Sequence, residues 1–121
     1  LIPLEAWGEA EGPKGRMTRT WLSLPDRPLF AAAGVWRPSE EWGDCYSMVM
    51  TASEGTDAAA VHERMPVLLA PSDQARWLEA SPQDAFALCR AWAGPLAIER
   101  TGDPWGKAAA PAPAPQQPGL F

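Results

Sequence analysis

Histidine occurs once in this chain, at position 62, and cysteine twice, at positions 45 and 89. One imidazole and two distant thiols match no zinc or redox spacing, so a metal centre fails on ligand count. Nothing in the spacing supports a disulfide, and each thiol reads first as a buried side chain. None of the serines, Ser23, Ser39, Ser47, Ser53, Ser72 or Ser81, sits in a Gly-x-Ser-x-Gly elbow. A phosphate loop and a Gly-rich dinucleotide fingerprint are also missing, and no cofactor is expected. The sequence shows no signal peptide and no apolar run long enough to span a bilayer, which makes a soluble cytoplasmic protein the default expectation. Basic residues are few: 10 Lys and Arg stand against 15 Asp and Glu, for a net charge of −5 and a pI near 4.8. That balance weighs against a generic non-specific nucleic-acid binder. It leaves open a local basic groove formed by Arg16, Arg19, Arg27, Arg37 and Arg64.

Tryptophan, by contrast, is plentiful, with seven among 121 residues. Large aromatics can build a core in little space or form a stacking surface. Fourteen prolines punctuate the chain, four of them in the Ala/Pro-rich stretch from 107 to 121, expected to be an extended, disordered tail. The folded unit is then 1–106, one domain of modest size. The chain begins with Leu1 inside an apolar run and reads as the later part of a longer protein.

Along that unit, Leu1 to Ala10 reads as strand and turn, and Thr18 to Leu24 alternates like a strand. Leu29 to Trp36 is apolar and small and reads as a buried strand, with its alanines leaving helix open. Arg37 to Asp44 reads as a polar loop and Cys45 to Thr51 as a strand. Ser53 to Asp57 turns, and Ala58 to Val61 forms a short helical turn that delivers His62. Pro66 to Leu69 makes another short strand. Ser72 is the expected N-cap of a helix from Asp73 to Glu79. Ser81-Pro82-Gln83-Asp84 launches a second helix running to Trp92, with Gly94-Pro95 ending it. Leu96 to Glu99 is a final strand. Short strands first and helices late indicate an α+β domain with a mostly antiparallel sheet.

Val61-His62-Glu63-Arg64-Met65-Pro66-Val67-Leu68-Leu69 is the most informative stretch. An imidazole can move a proton near neutral pH, and the proline and apolar strand behind it give a rigid mount. Glu9, in Trp7-Gly8-Glu9, is the carboxyl that would complete a proton-transfer pair. Taken alone, a lone histidine is more often structural and a lone glutamate more often solvated. Trp7, Trp36 and Trp42 with Arg37 and Arg64 could stack bases and hold phosphates. Position by position, core packing and solvation explain them as well.

Several segments taken together resemble one family. Leu1-Ile2-Pro3, then Trp7-Gly8-Glu9, Phe30-Ala31-Ala32-Ala33-Gly34-Val35-Trp36, Met50-Thr51-Ala52, the His62 stretch and Trp77-Leu78 follow the order of the SRAP (SOS response-associated peptidase) family. The His-acid-Arg-Met-Pro element is the specific one. The resemblance implies an α+β fold on a mostly antiparallel, barrel-like sheet with a few helices, and it places this chain in the C-terminal portion of the family's domain. It implies a DNA-damage-response protein that binds single-stranded DNA and crosslinks to abasic sites. The nucleophile would be an N-terminal cysteine, exposed by self-removal of the initiator Met and absent from this chain. By motif position, Glu9 and His62 would be catalytic, Arg64 would lie near DNA phosphates, and Trp36, Met65 and Pro66 would shape the groove and the active-site wall. Gly8 and Ala10 depart from the family pattern, where aromatics are common. They keep a second expectation in play, a degenerate SRAP scaffold that binds DNA or protein without chemistry. Action as a peptidase on other proteins rests on the family's name alone. Cys45 and Cys89 cannot replace the nucleophile, because a thiazolidine needs amine and thiol on one residue.

Overall fold

The computed structural model describes residues 1–106. The expected disordered tail, 107–121, lies outside the described residues. Among those described, ten short strands form four antiparallel sheets. Strands β1 (Ile2–Leu4), β4 (Phe30–Ala32) and β9 (Leu68–Leu69) make one three-stranded sheet, with β4 in the middle. Strands β2 (Trp7–Glu11), β3 (Thr18–Ser23) and β10 (Ala97–Pro104) make a second, centred on β3. Strands β5 (Gly34–Ser39) and β6 (Gly43–Met48) form a hairpin, and β7 (Met50–Ala52) pairs with β8 (Arg64–Pro66).

The barrel-like sheet expected from the family resemblance is not what forms: among the described residues no sheet closes on itself. The reason lies at three residues between strands. Ala33 separates β4 from β5, Val49 separates β6 from β7, and Val67 separates β8 from β9. The Ala33 N–H donates to the Val67 carbonyl at 2.8 Å, the Val67 N–H to the Val49 carbonyl at 2.9 Å, and the Val49 N–H to the Ala33 carbonyl at 2.9 Å. These three bonds form a ring. From it the chains diverge in pairs, β5 with β6, β7 with β8, and β9 with β4. Each strand thus changes partner at the ring, and no continuous ladder runs far enough to curl round and close. Ala33 and Val67 are fully buried. Gly34 follows directly, where a Cβ would stand 2.9 Å from the Ile2 side chain.

Alternation explains which faces are buried. On β3, Thr20 and Leu22 point inward while Trp21 points out, and on β2 Trp7 faces Leu22 in register. Trp7, Leu22, Leu24, Phe30, Ala32, Ala58, Met65, Leu68 and Leu96 form the main cluster of buried side chains. Trp7 meets Phe30 edge-on, with ring centroids 6.3 Å apart. A smaller cluster gathers Ala33, Val67, Leu69 and Leu88 under the helices.

Local expectations change in several places, beginning with Leu29 to Trp36, read as one buried strand but split at Ala33 into β4 and the exposed start of β5. The segment read as a polar loop, Arg37 to Asp44, is the far end of the β5–β6 hairpin, with Ser39 paired to Gly43 and Gly43 at φ 71° making the turn. Helix α1 (Pro71–Glu79) begins two residues earlier than expected: Ala70 is its N-cap, Pro71 occupies the first turn, and Ser72 lies inside it. Helix α2 (Pro82–Phe86) keeps the Ser81 cap, whose hydroxyl accepts from the Asp84 N–H at 3.3 Å, but it stops six residues short of Trp92. Tight turns at Leu88, Cys89 and Arg90 replace its continuation and carry Leu88 into the smaller core. The last strand extends to Pro104 across an irregularity in register. There the Thr101 hydroxyl bonds the Arg19 carbonyl at 2.5 Å and accepts from the Asp103 N–H at 3.2 Å.

Candidate active site

Glu9 sits mid-strand on β2, opposite Thr20 and on the same face as Trp7 and Glu11. That face turns toward the core, so its carboxyl is only partly solvated. The neighbouring carboxyl is provided for: Glu11 takes the Thr20 hydroxyl and an ion pair from Arg100 at 3.1 Å. Glu9 has neither of these partners. Burial pushes its proton affinity above the usual carboxylate range, while the His62 ring and the Trp7 indole N–H oppose that rise by favouring the ionised form. The indole nitrogen of Trp7 is itself buried and makes no hydrogen bond of ordinary geometry. Its influence on Glu9 is therefore that of a nearby dipole rather than a formed bond.

His62 follows the 3₁₀ turn Asp57–Ala60. Its backbone N–H donates to the Ala58 carbonyl at 3.0 Å, and its ring is exposed. The Arg64 N–H donates to Nδ1 at 3.1 Å, and the Arg64 carbonyl lies 3.2 Å from the same nitrogen. A neutral ring with its proton on Nε2 accepts the first contact; an imidazolium donates into the second. One backbone residue thus holds the ring in either charge state and leaves Nε2 for exchange with a substrate. The imidazole, from a segment far away in sequence, lies near enough to Glu9 to oppose the rise in its proton affinity.

The mount of that histidine depends on residues the sequence reading passed over. Ser53 is fully buried. Its hydroxyl donates to the His62 carbonyl at 2.5 Å, and its N–H to the Glu63 carbonyl at 3.0 Å. Its own carbonyl accepts from the Thr56 hydroxyl at 2.7 Å and the Thr56 N–H at 3.0 Å. The available signal was Ser53-Glu54-Gly55-Thr56, two hydroxyl residues flanking a glycine at φ 79°. It marks a turn but does not say what the turn holds. The Asp57 carboxylate accepts from the Leu96 N–H at 3.0 Å and ties the same turn to the approach of β10.

The other expected site residues divide by exposure. Arg64 is exposed beside His62. Met65 and Pro66 are buried directly beneath it, with the Thr56 hydroxyl 3.7 Å from the Met65 sulfur. Trp36 lies on a different hairpin, 70% exposed and opposite the equally open Tyr46. The two flank a shallow cleft with Leu1, Ile2, Pro3, Gly34 and Val35. Cys45 and Cys89 are both free.

The sequence model of the SOS response associated peptidase (SRAP) family matches residues 1–100. The chain belongs to the SRAP family. Two solved structures share the fold of this SRAP chain. One is a protein from Bordetella bronchiseptica, 24% identical with a TM-score of 0.72, covering 83% of this chain and 53% of its own. The other is a protein from Bacteroides thetaiotaomicron, 17% identical with a TM-score of 0.66, covering 82% of this chain and 47% of its own. This chain therefore spans about half the length of each. None of the curated proteins matches it. Among the described residues of this SRAP chain, no helix is long and apolar enough to cross a membrane.

Proposed function

We propose that this chain is the C-terminal portion of a cytoplasmic SRAP protein that binds single-stranded DNA and links covalently to abasic sites. Glu9 and His62 provide its proton transfers. The observation that carries the reading is the pairing of a half-buried, high-affinity carboxyl with a single histidine anchored in both charge states. In the proposed sequence His62 protonates the sugar ring oxygen as the bond from C1′ to that oxygen breaks, and the C1′ hydroxyl releases its proton to water, giving the aldehyde. The amine of an N-terminal cysteine adds to that carbon. Glu9 protonates the resulting hydroxyl, which leaves as water to give an imine. The cysteine thiolate then adds to the imine carbon and the nitrogen takes up a proton, closing a thiazolidine. Aldehyde and aminothiol go in, thiazolidine and one water come out, and no oxidant is needed. Arg64, exposed beside His62, would meet a phosphate, and Trp36 a base. Met65 and Pro66 form the wall behind the imidazole. The same cysteine becomes available by self-removal of the initiator Met.

The test is incubation of the full-length protein with an oligonucleotide carrying one abasic site, followed by denaturing electrophoresis. A retarded band is expected, and its rate of formation should fall by about 10² or more, the low end of a general acid–base contribution, when Glu9→Ala and His62→Ala are combined. No band, or an undiminished one, overturns the mechanism. A second reading is a SRAP scaffold that binds DNA or a partner without chemistry, favoured by the net charge of −5 and by Gly8 and Ala10 on β2. A coding frame opening with Met-Cys supports the enzyme; any other second residue supports the scaffold.

A further inference from the structure

We infer that Trp7 is a positioning residue for Glu9, its buried indole N–H serving as the donor that steers the carboxylate toward His62. The inference deepens the proposed proton-transfer role of Glu9 and rests on it. Trp7 and Glu9 are two residues apart on β2, and the pleat sets both side chains on the inner face. Across the sheet, Leu22 stands opposite Trp7 and Thr20 opposite Glu9. Leu22 offers no polar group, and the Thr20 hydroxyl is already committed to Glu11. Neither neighbour on β3 can therefore hold the Glu9 carboxylate. The Trp7 nitrogen has the complementary deficit, since it is buried and has no hydrogen-bond partner. A buried unpaired N–H is costly, and phenylalanine would fill the same place against Phe30 without one. An unpaired donor beside an unpaired acceptor on one strand face is a pair that small side-chain movement can close.

The remaining charged groups around Glu9 are few. His62, on the connection before β8, is the charge that lowers its proton affinity. On its own sheet Glu11 is the nearest charge along β2, with Arg100 of β10 ion-paired to it. That ion pair largely cancels itself, so the imidazole and the indole remain the two groups that oppose the larger effect of burial on the carboxyl. Removing the indole N–H removes a contact that favours the charged form, and the proton affinity of Glu9 must rise.

The experiment is an NMR titration of the full chain, following the indole N–H signals and the Glu9 side-chain carboxyl carbon from about pH 3 to about pH 8, a range that spans the carboxylate's titration. Trp7→Phe identifies the Trp7 indole signal by its disappearance. In the unsubstituted protein that signal should move with the same midpoint as the Glu9 carboxyl. In Trp7→Phe the Glu9 midpoint should move upward, and the pH profile of crosslinking should follow it. In Glu9→Gln, which keeps the tryptophan and serves if Trp7→Phe does not fold, the Trp7 signal should lose that pH dependence. A Trp7 signal that stays flat while Glu9 titrates, or an unmoved Glu9 midpoint in Trp7→Phe, overturns the assignment. The titration needs no DNA. A coupled Trp7–Glu9 titration with no crosslinked product would sink the proposed chemistry and leave the positioning role standing.

Discussion

Glu9 is a residue held against its own charge. Its proton affinity is raised in the folded chain, so the folded state binds its proton more tightly than the unfolded state does. The stability it contributes is full below the ordinary glutamate range and is lost as pH rises through the folded value. Glu9→Gln removes a group that is unfavourable only when ionised. The variant should therefore melt at a higher temperature than the parent at about pH 8 and at nearly the same temperature at about pH 4, read by calorimetry. A uniform shift at both values would mean that packing, not charge, is responsible. Recognising Glu9 in the sequence needed the family pattern, since composition offers no reason to prefer it over Glu11, two residues away. The structure separates the two physically: Glu11 has Arg100 and Thr20, and Glu9 has neither.

At the scale of elements, the unit that matters is the connection from β7 through the 3₁₀ turn to β8. Ser53 stitches both of its ends together, bonding the carbonyls of His62 and Glu63 from a position fully out of water. Ser53→Ala leaves the His62 carbonyl without its buried donor and should cost about 1–3 kcal/mol of stability. The expected result is a lower denaturation midpoint at unchanged m-value, and a midpoint equal to that of the parent would refute it. The turn that delivers His62, the alternating strand at Thr18 and the Ser81 cap were legible because each is signalled locally. The β5–β6 hairpin was hidden by Pro38 and the paired glutamates at its tip, which read as loop. The length of α2 was hidden too, because Leu88 leaves the helix for a core built by Ala33, Val67 and Leu69 from distant strands. The roles of Ser53 and Trp7 follow from backbone bonds and an unpaired donor, which no spacing of residue types announces.

At the scale of the whole chain, the net charge of −5 sets a condition on the proposed DNA binding. Attraction to phosphates must come from a few placed cations, and Arg64 is the one fixed next to His62 by its own backbone. On the full-length protein, Arg64→Ala should weaken binding to undamaged single-stranded DNA about equally for all sequences. It should also reduce the slope of log K against log salt by about 0.7, the share of one phosphate contact on a single strand. An unchanged slope measured by fluorescence anisotropy would remove Arg64 from the interface. Trp36, Tyr46 and Trp42 are widely exposed on the β5–β6 hairpin, and under the proposed function they are the faces on which bases would stack.

The ring at Ala33, Val49 and Val67 gives these parts a common clock. Each member donates to one neighbour and accepts from the other, so no strand can slip alone without breaking two bonds at once. The arrangement behaves like a three-way knot in a net: tension along any one cord is shared by the other two. The cord that carries His62 runs from Val49 to Val67, both of them knotted. The imidazole can thus rock on its turn while the distance between the ends of its loop stays constant.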